Sequence, residues 1–151
     1  MTATNHALTG ALTGLLIGQP LIALPLAVAS HFICDALPHF GNSKDDPAQK
    51  CWFMVFLSLD GLLCLLLLGL LMFKQPLHWT TAWWCALAAA APDVMWIPRF
   101  RRSRSGSADM APHSALLKLH RWVQWFEHPS GAIVEITWMV SAWYMTGLFL
   151  R

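Results

Sequence analysis

Trp52-Phe-Met-Val-Phe-Leu-Ser-Leu-Asp60-Gly-Leu-Leu-Cys-Leu-Leu-Leu-Leu-Gly-Leu-Leu-Met-Phe73 is an apolar run broken by a single charge. About 20 apolar residues, rising roughly 1.5 Å each, cross the ~30 Å hydrocarbon layer of a bilayer as a helix. The run therefore predicts a transmembrane helix over 52–73. Working outward, apolar stretches recur at His6–Gly18, Leu21–Leu37, Trp79–Ile97 and Ala132–Leu150. Gln19-Pro20 breaks the first from the second and Pro38 stops the second, so these two fall short of a full span. The composition agrees: the chain is 56% hydrophobic and 12% charged, against about 25% charged in soluble domains. Lipid must cover much of that surface. The predicted fold is all-α, a polytopic transmembrane bundle of about five membrane segments in one domain over residues 1–151. The segment His113–His128 adds an amphipathic helix lying in the interface.

The cations orient this arrangement. Lys44 and Lys50 lie between segments two and three, and Arg99, Arg101, Arg102, Arg104, Lys118 and Arg121 between four and five; only Lys74 and Arg151 fall on the other side. The positive-inside rule makes the richer side cytoplasmic, with the N-terminus inside and the C-terminus outside a multi-pass protein of the cytoplasmic (inner) membrane. Trp52, Trp96, Trp122 and Trp125 would then form an inner aromatic belt. Membrane lipid is the expected partner. The small net charge of +2 gives no support for nucleic acid. The residues before His6 lack the basic region of a cleaved signal, so the first apolar stretch is expected to stay in the mature protein. Cys34, Cys51, Cys64 and Cys85 show no CxxC spacing and read as small buried hydrophobes.

Chemistry is sought where ionisable residues persist in apolar segments, because each costs roughly 2.5–3.5 kcal/mol at mid-membrane. Here they are His6, His31, Asp35, Asp60, Asp93 and Glu135, with His39 just past segment two. Counting ~1.5 Å per residue from the cytoplasmic ends puts His31 about 10 Å deep, Asp60 about 12–14 Å and Asp93 about 6 Å. All fall in the cytoplasmic half, although the orientation came from Lys and Arg alone. His31 and Asp35, four residues apart, project from one helix face, and His39 would continue it unless Pro38 turns the chain. A neutral nitrogen and an anionic oxygen on a rigid scaffold form half a site for zinc or another divalent metal. Asp60, Asp93 and His6 could complete it from neighbouring helices, and a carboxylate-rich site leaves room for a water that the ion activates. The plainer alternatives are interhelical hydrogen bonding for His31, a metal-free pair for Asp35 and helix capping for His39. Asp45 and Asp46 suit a solvated turn, and His78 an interfacial position on the outer side. His120 and Glu127 suit a polar helix face, or groups that touch substrate or support the ligands. The Arg99–Arg104 cluster is a topology signal that also suits phosphate, which guanidinium binds bidentately.

With His6 heading the first apolar helix and His31-x-x-x-Asp35-x-x-Pro38-His39 following, the chain resembles the small bacterial membrane-bound metal-dependent hydrolases. Pro92-Asp93 looks like a step common in that family. The resemblance covers roughly residues 5–40 and implies a membrane-embedded hydrolase with a divalent metal, zinc foremost, held by His6, His31, Asp35, His39 and Asp93. The His-x-x-x-Asp element is also similar to one in zinc-dependent phospholipases C, implying a phosphoester or lipid substrate. The apolar stretch after His39 departs from the family pattern, which carries further acid–His pairs there.

Two functions follow as expectations. The first is a metal-dependent hydrolase acting at the cytoplasmic interface on a lipid-linked or phosphorylated substrate, with Asp60 or Asp93 as further ligand or general base. The second is a non-enzymatic permease or ion or proton conductor whose polar residues line a path. A conductor needs such residues through the whole membrane thickness, and the outer half is nearly bare.

Overall fold

The computed structural model describes residues 1–41, 51–96 and 115–151. Lys44, Asp45, Asp46, Lys50, Ile97, the Arg99–Arg104 cluster, the Arg-rich linker and His113 lie outside the described residues. The chain folds as helices α1 (Ala3–Ile17), α2 (Pro20–Ala36), α3 (Cys51–Lys74) and α4 (Trp79–Ala90), a 3-10 helix (Ala91–Trp96), then α5 (Ala115–Val123) and α6 (Gly131–Phe149). Among the described residues the only β pairing is an isolated bridge between His39 and Glu127. The all-α class is as expected.

Two helices are long and apolar enough to cross a membrane, within Phe53–Lys74 and Gly131–Phe149. In each, only 17% of the most apolar window is buried, so most of that apolar surface is open. Their outer faces carry Leu62, Leu65, Leu66, Ile133, Ile136 and Val140 in the open. The other three expected segments are shorter. The chain turns at Gly18, which takes the left-handed φ of 72° that favours glycine, and Pro20 then starts α2 at the position where a missing N–H is harmless. Segment four tightens into the 3-10 helix at Ala91, one residue before Pro92.

α1 sits at the centre, packed on α4, α2, α6 and α3. Its contact with α4 is unusually close: a methyl group added at Gly10 would stand 2.3 Å from the Cys85 carbonyl oxygen, and one at Gly14 2.4 Å from the Ala82 Cα. Gly10 faces Cys85 and Ala89 and Gly14 faces Thr81 and Ala82, the small-residue pairing that lets helix backbones approach closely. Hydroxyls add cross-links: Trp138 Nε1 donates to Thr9 Oγ1 at 2.9 Å and Thr81 Oγ1 to the Gly18 carbonyl at 3.0 Å. Where the expected interfacial helix runs over 113–128, the described helix ends at Val123. Beyond it the backbone leaves helix to pair with residue 39, through His39 N–H to Phe126 O at 3.3 Å and His128 N–H to His39 O at 3.1 Å.

Candidate metal centre

Helix α2 buries Ala23, Ala27, His31, Cys34 and Asp35, a stripe at helical spacing that begins with two methyl-sized residues and ends in ligand chemistry. The small residues bring α4 close enough for the Ala89 carbonyl to accept from His31 Nδ1 at 2.8 Å. A carbonyl can only accept, so Nδ1 carries the proton and the neutral ring presents Nε2 as a lone pair. This is how outer partners orient metal-binding imidazoles. One turn on, Asp35 Oδ2 lies 3.3 Å from that Nε2.

Three other elements meet this pair. From α1, His6 stacks on His31 with ring centroids 4.0 Å apart and brings Nε2 to 3.1 Å from Asp35 Oδ1. That contact is out of line for a hydrogen bond, and both His6 ring nitrogens are buried without a hydrogen-bond partner. From the 3-10 helix, Asp93 places its carboxylate 3.9 Å from both His6 Nε2 and His31 Nε2. From α5, His120 Nε2 comes to 2.7 Å from Asp35 Oδ2 and 3.8 Å from Asp93 Oδ1. The Met1 amine lies 2.6 Å from Asp35 Oδ1.

His6, His31, Asp35 and Asp93 each offer a ligand atom within 4.8 Å of the others, a group that could hold a metal ion. Atoms bound to one tetrahedral cation at ~2.0–2.2 Å stand about 3.3–3.6 Å apart; the imidazole–carboxylate contacts here run from 3.1 to 3.9 Å. The donor set fits as well, since buried imidazole lone pairs converging on carboxylates suit a borderline divalent ion such as zinc. The His6, His31 and Asp35 side chains are fully buried, whereas that of Asp93 is 27% exposed, so the group opens past Asp93.

The remaining expected site residues lie elsewhere. Asp60 accepts from the backbone N–H groups of Ala3 at 2.8 Å and Thr4 at 2.9 Å and from the Thr4 hydroxyl. It therefore ties down the otherwise unbonded N–H groups at the start of α1, and its carboxylate is committed to a helix end. His39 is also separate. Because α2 stops at Ala36 and Leu37 is extended, the helical spacing from Asp35 is lost. His39 Nδ1 instead donates to the Leu37 carbonyl at 2.9 Å, and Nε2 lies 3.6 Å from Glu127. Glu135 is buried at the start of α6, where Asn5 Nδ2 donates to its carbonyl oxygen at 3.2 Å.

Sequence reasoning left His120 as a polar surface residue or a supporting group; it is fully buried. The signal was there: His120-x-x-x-Gln124 repeats the four-residue spacing of His31-x-x-x-Asp35. A cavity of about 330 Å³, lined by Ala36, Trp122, Val123 and Trp125, is formed by neighbours in the chain of Asp35 and Gln124. No family model, curated protein or solved structure matches this chain.

Proposed function

We propose that this protein is a membrane-embedded, metal-dependent hydrolase that acts at the cytoplasmic interface on a lipid-linked or phosphorylated substrate. The observation that carries the proposal is the convergence of His6, His31, Asp35 and Asp93, from three elements, on one small volume. In this reading α3 and α6 cross the bilayer, α4 with its 3-10 extension (residues 79–96) returns across it between them, and α1 and α2 form a short hairpin packed against α4. At ~1.5 Å per residue they are about 22 and 25 Å long, short of the ~30 Å layer. The cation-rich loops hold the N-terminus inside and the C-terminus outside.

A divalent ion, zinc foremost, would supply Lewis acidity and water activated near neutral pH. The chain's own residues do the rest. His6, His31 and Asp35 hold the ion from a buried wall, and the Ala89 carbonyl keeps His31 in the tautomer that leaves Nε2 free. Asp93 stands at the open edge, where a partly exposed carboxylate can take a proton from water as general base. The adjoining cavity suits an acyl or prenyl tail, and four arginines follow Asp93 within residues 99–104, a composition suited to phosphate.

One observation favours an enzyme over a conductor. Among the described residues, every buried histidine and carboxylate (His6, His31, Asp35, His39, Asp60, His120 and Glu135) belongs to the end of the bundle where α1 begins and α2 ends. The buried polar residues towards the other end are Thr81 and Thr146. A one-ended site suits catalysis; a conduction path needs both ends.

The test is phosphate release from lipid phosphates and short-chain phosphomonoesters by detergent-purified protein. Turnover should vanish with chelator, return with zinc, and fall by about 10²–10⁴-fold in Asp93→Asn. Turnover indifferent to chelator and to Asp93→Asn would defeat the reading.

A further inference from the structure

The four-residue group leaves out the imidazole nearest to Asp35. His120 reaches the cluster from α5, a short amphipathic helix whose main packing partner is α2. Its Nε2 stands 2.7 Å from Asp35 Oδ2, 3.3 Å from His31 Nε2 and 3.8 Å from Asp93 Oδ1. In the neutral ring His31 Nε2 is a lone pair, because Nδ1 donates to Ala89. Three electron-rich atoms, two nitrogens and an oxygen, therefore face one another at 2.7–3.3 Å with all three side chains fully buried. Facing lone pairs in such a triangle must be separated by a proton, on His120 Nε2 with the Met1 amine beside Asp35 Oδ1 as counter-charge, or be bridged by a metal cation shared by all three. A proton on His120 Nε2 satisfies one edge, to Asp35. It leaves the His31 lone pair without a donor and His6 Nδ1 without a hydrogen-bond partner, while His6 Nε2 faces Asp35 Oδ1 at 3.1 Å. A cation satisfies the His6, His31, His120 and carboxylate edges together.

The neighbouring turn of α5 is built to match. Gln124, four residues on, donates from Nε2 to Asp35 Oδ2 at 3.2 Å and lies 3.2 Å from His120 Nε2. Phe32 packs edge-on to both the His31 and His120 rings, with centroids 5.1 and 5.9 Å away. The rest of α5 exposes Leu119 and Trp122 together with Lys118 and Arg121, an amphipathic mix suited to the membrane interface. The helix thus lies with an amphipathic side outward and delivers one ligand inward.

We propose that His120 is a third imidazole ligand of the centre and that Gln124 is a positioning residue holding Asp35 Oδ2 towards the ion. The inference rests on the metal reading above. It enlarges the centre from two histidines to three, and makes its completion depend on a peripheral helix and not only on the bundle.

X-ray absorption on the zinc-loaded, detergent-purified full chain counts imidazoles directly. Three in the wild type, and two in His120→Gln, are expected. Zinc affinity should fall in that variant by more than the roughly 10–100-fold that loss of an outer partner costs, and by about 10–100-fold in Gln124→Ala with three imidazoles kept. Two imidazoles in the wild type would overturn the assignment while leaving a metal centre on His6 and His31. A wild type that binds no zinc would overturn the centre itself, and this ligand with it. The wild-type count needs no variant to fold.

Discussion

Asp35 and Asp60 are both aspartates buried in apolar helices, and their surroundings differ in kind. Asp60 meets backbone: two N–H groups at the start of α1 and the Thr4 hydroxyl point at its oxygens. Asp35 meets three imidazoles that can bind ions, together with the donating Gln124 amide and the Met1 amine, all within 3.3 Å of its oxygens. N–H groups at a helix end are fixed donors, so they satisfy a carboxylate and leave it nothing further to do. Imidazole nitrogens change roles with protonation and metal, so a carboxylate among them remains available for chemistry. A buried acid is therefore assigned by what faces it, and burial alone does not separate a structural acid from a chemical one.

That contrast yields an ordered set of expectations. The largest effect belongs to Asp35→Ala, which should abolish stoichiometric metal in purified protein; a variant that keeps one equivalent would erase the distinction. Next is Asp60→Ala, which strands two N–H groups at the start of α1. It should lower stability by about 1–3 kcal/mol in chemical unfolding, while the folded fraction keeps its metal. Loss of metal from folded Asp60→Ala protein would place that acid in the centre after all. Gly14→Val tests the frame that carries His6, since α1 would have to move off α4. A loss of about 1–3 kcal/mol is expected from overpacking, with metal affinity falling in step. The smallest effect should come from His39→Ala: metal content unchanged, and about 0.5–1.5 kcal/mol lost with the Nδ1 hydrogen bond to Leu37. A metal-free His39→Ala protein would return His39 to the ligands.

The same contrast explains what the sequence could and could not disclose. The helices were legible because the apolar runs are long and Gln19-Pro20 and Pro38 break them. The count of helices long enough to cross was legible in part: segments one and two already fall short in the sequence, whereas segment four looks membrane-spanning by composition and is shortened by the Pro92 step. His31 and Asp35 stood out because i, i+4 spacing is local. Asp60 misled because its partners are amides of residues 3 and 4, more than fifty positions away, and amides carry no sequence signature. His39 misled because i, i+4 reasoning was carried past the end of a helix. His120 stayed hidden because α5 is amphipathic, and a histidine beside Lys118 and Arg121 reads as part of the wet face.

The most direct measurement is elemental analysis of detergent-purified, metal-replete protein, wild type beside Asp35→Ala and Asp60→Ala. One equivalent of a divalent ion in the wild type and in folded Asp60→Ala, and none in Asp35→Ala, is the predicted pattern. A wild type without any bound ion, its Asp35 balanced by imidazoles and amine alone, would contradict it.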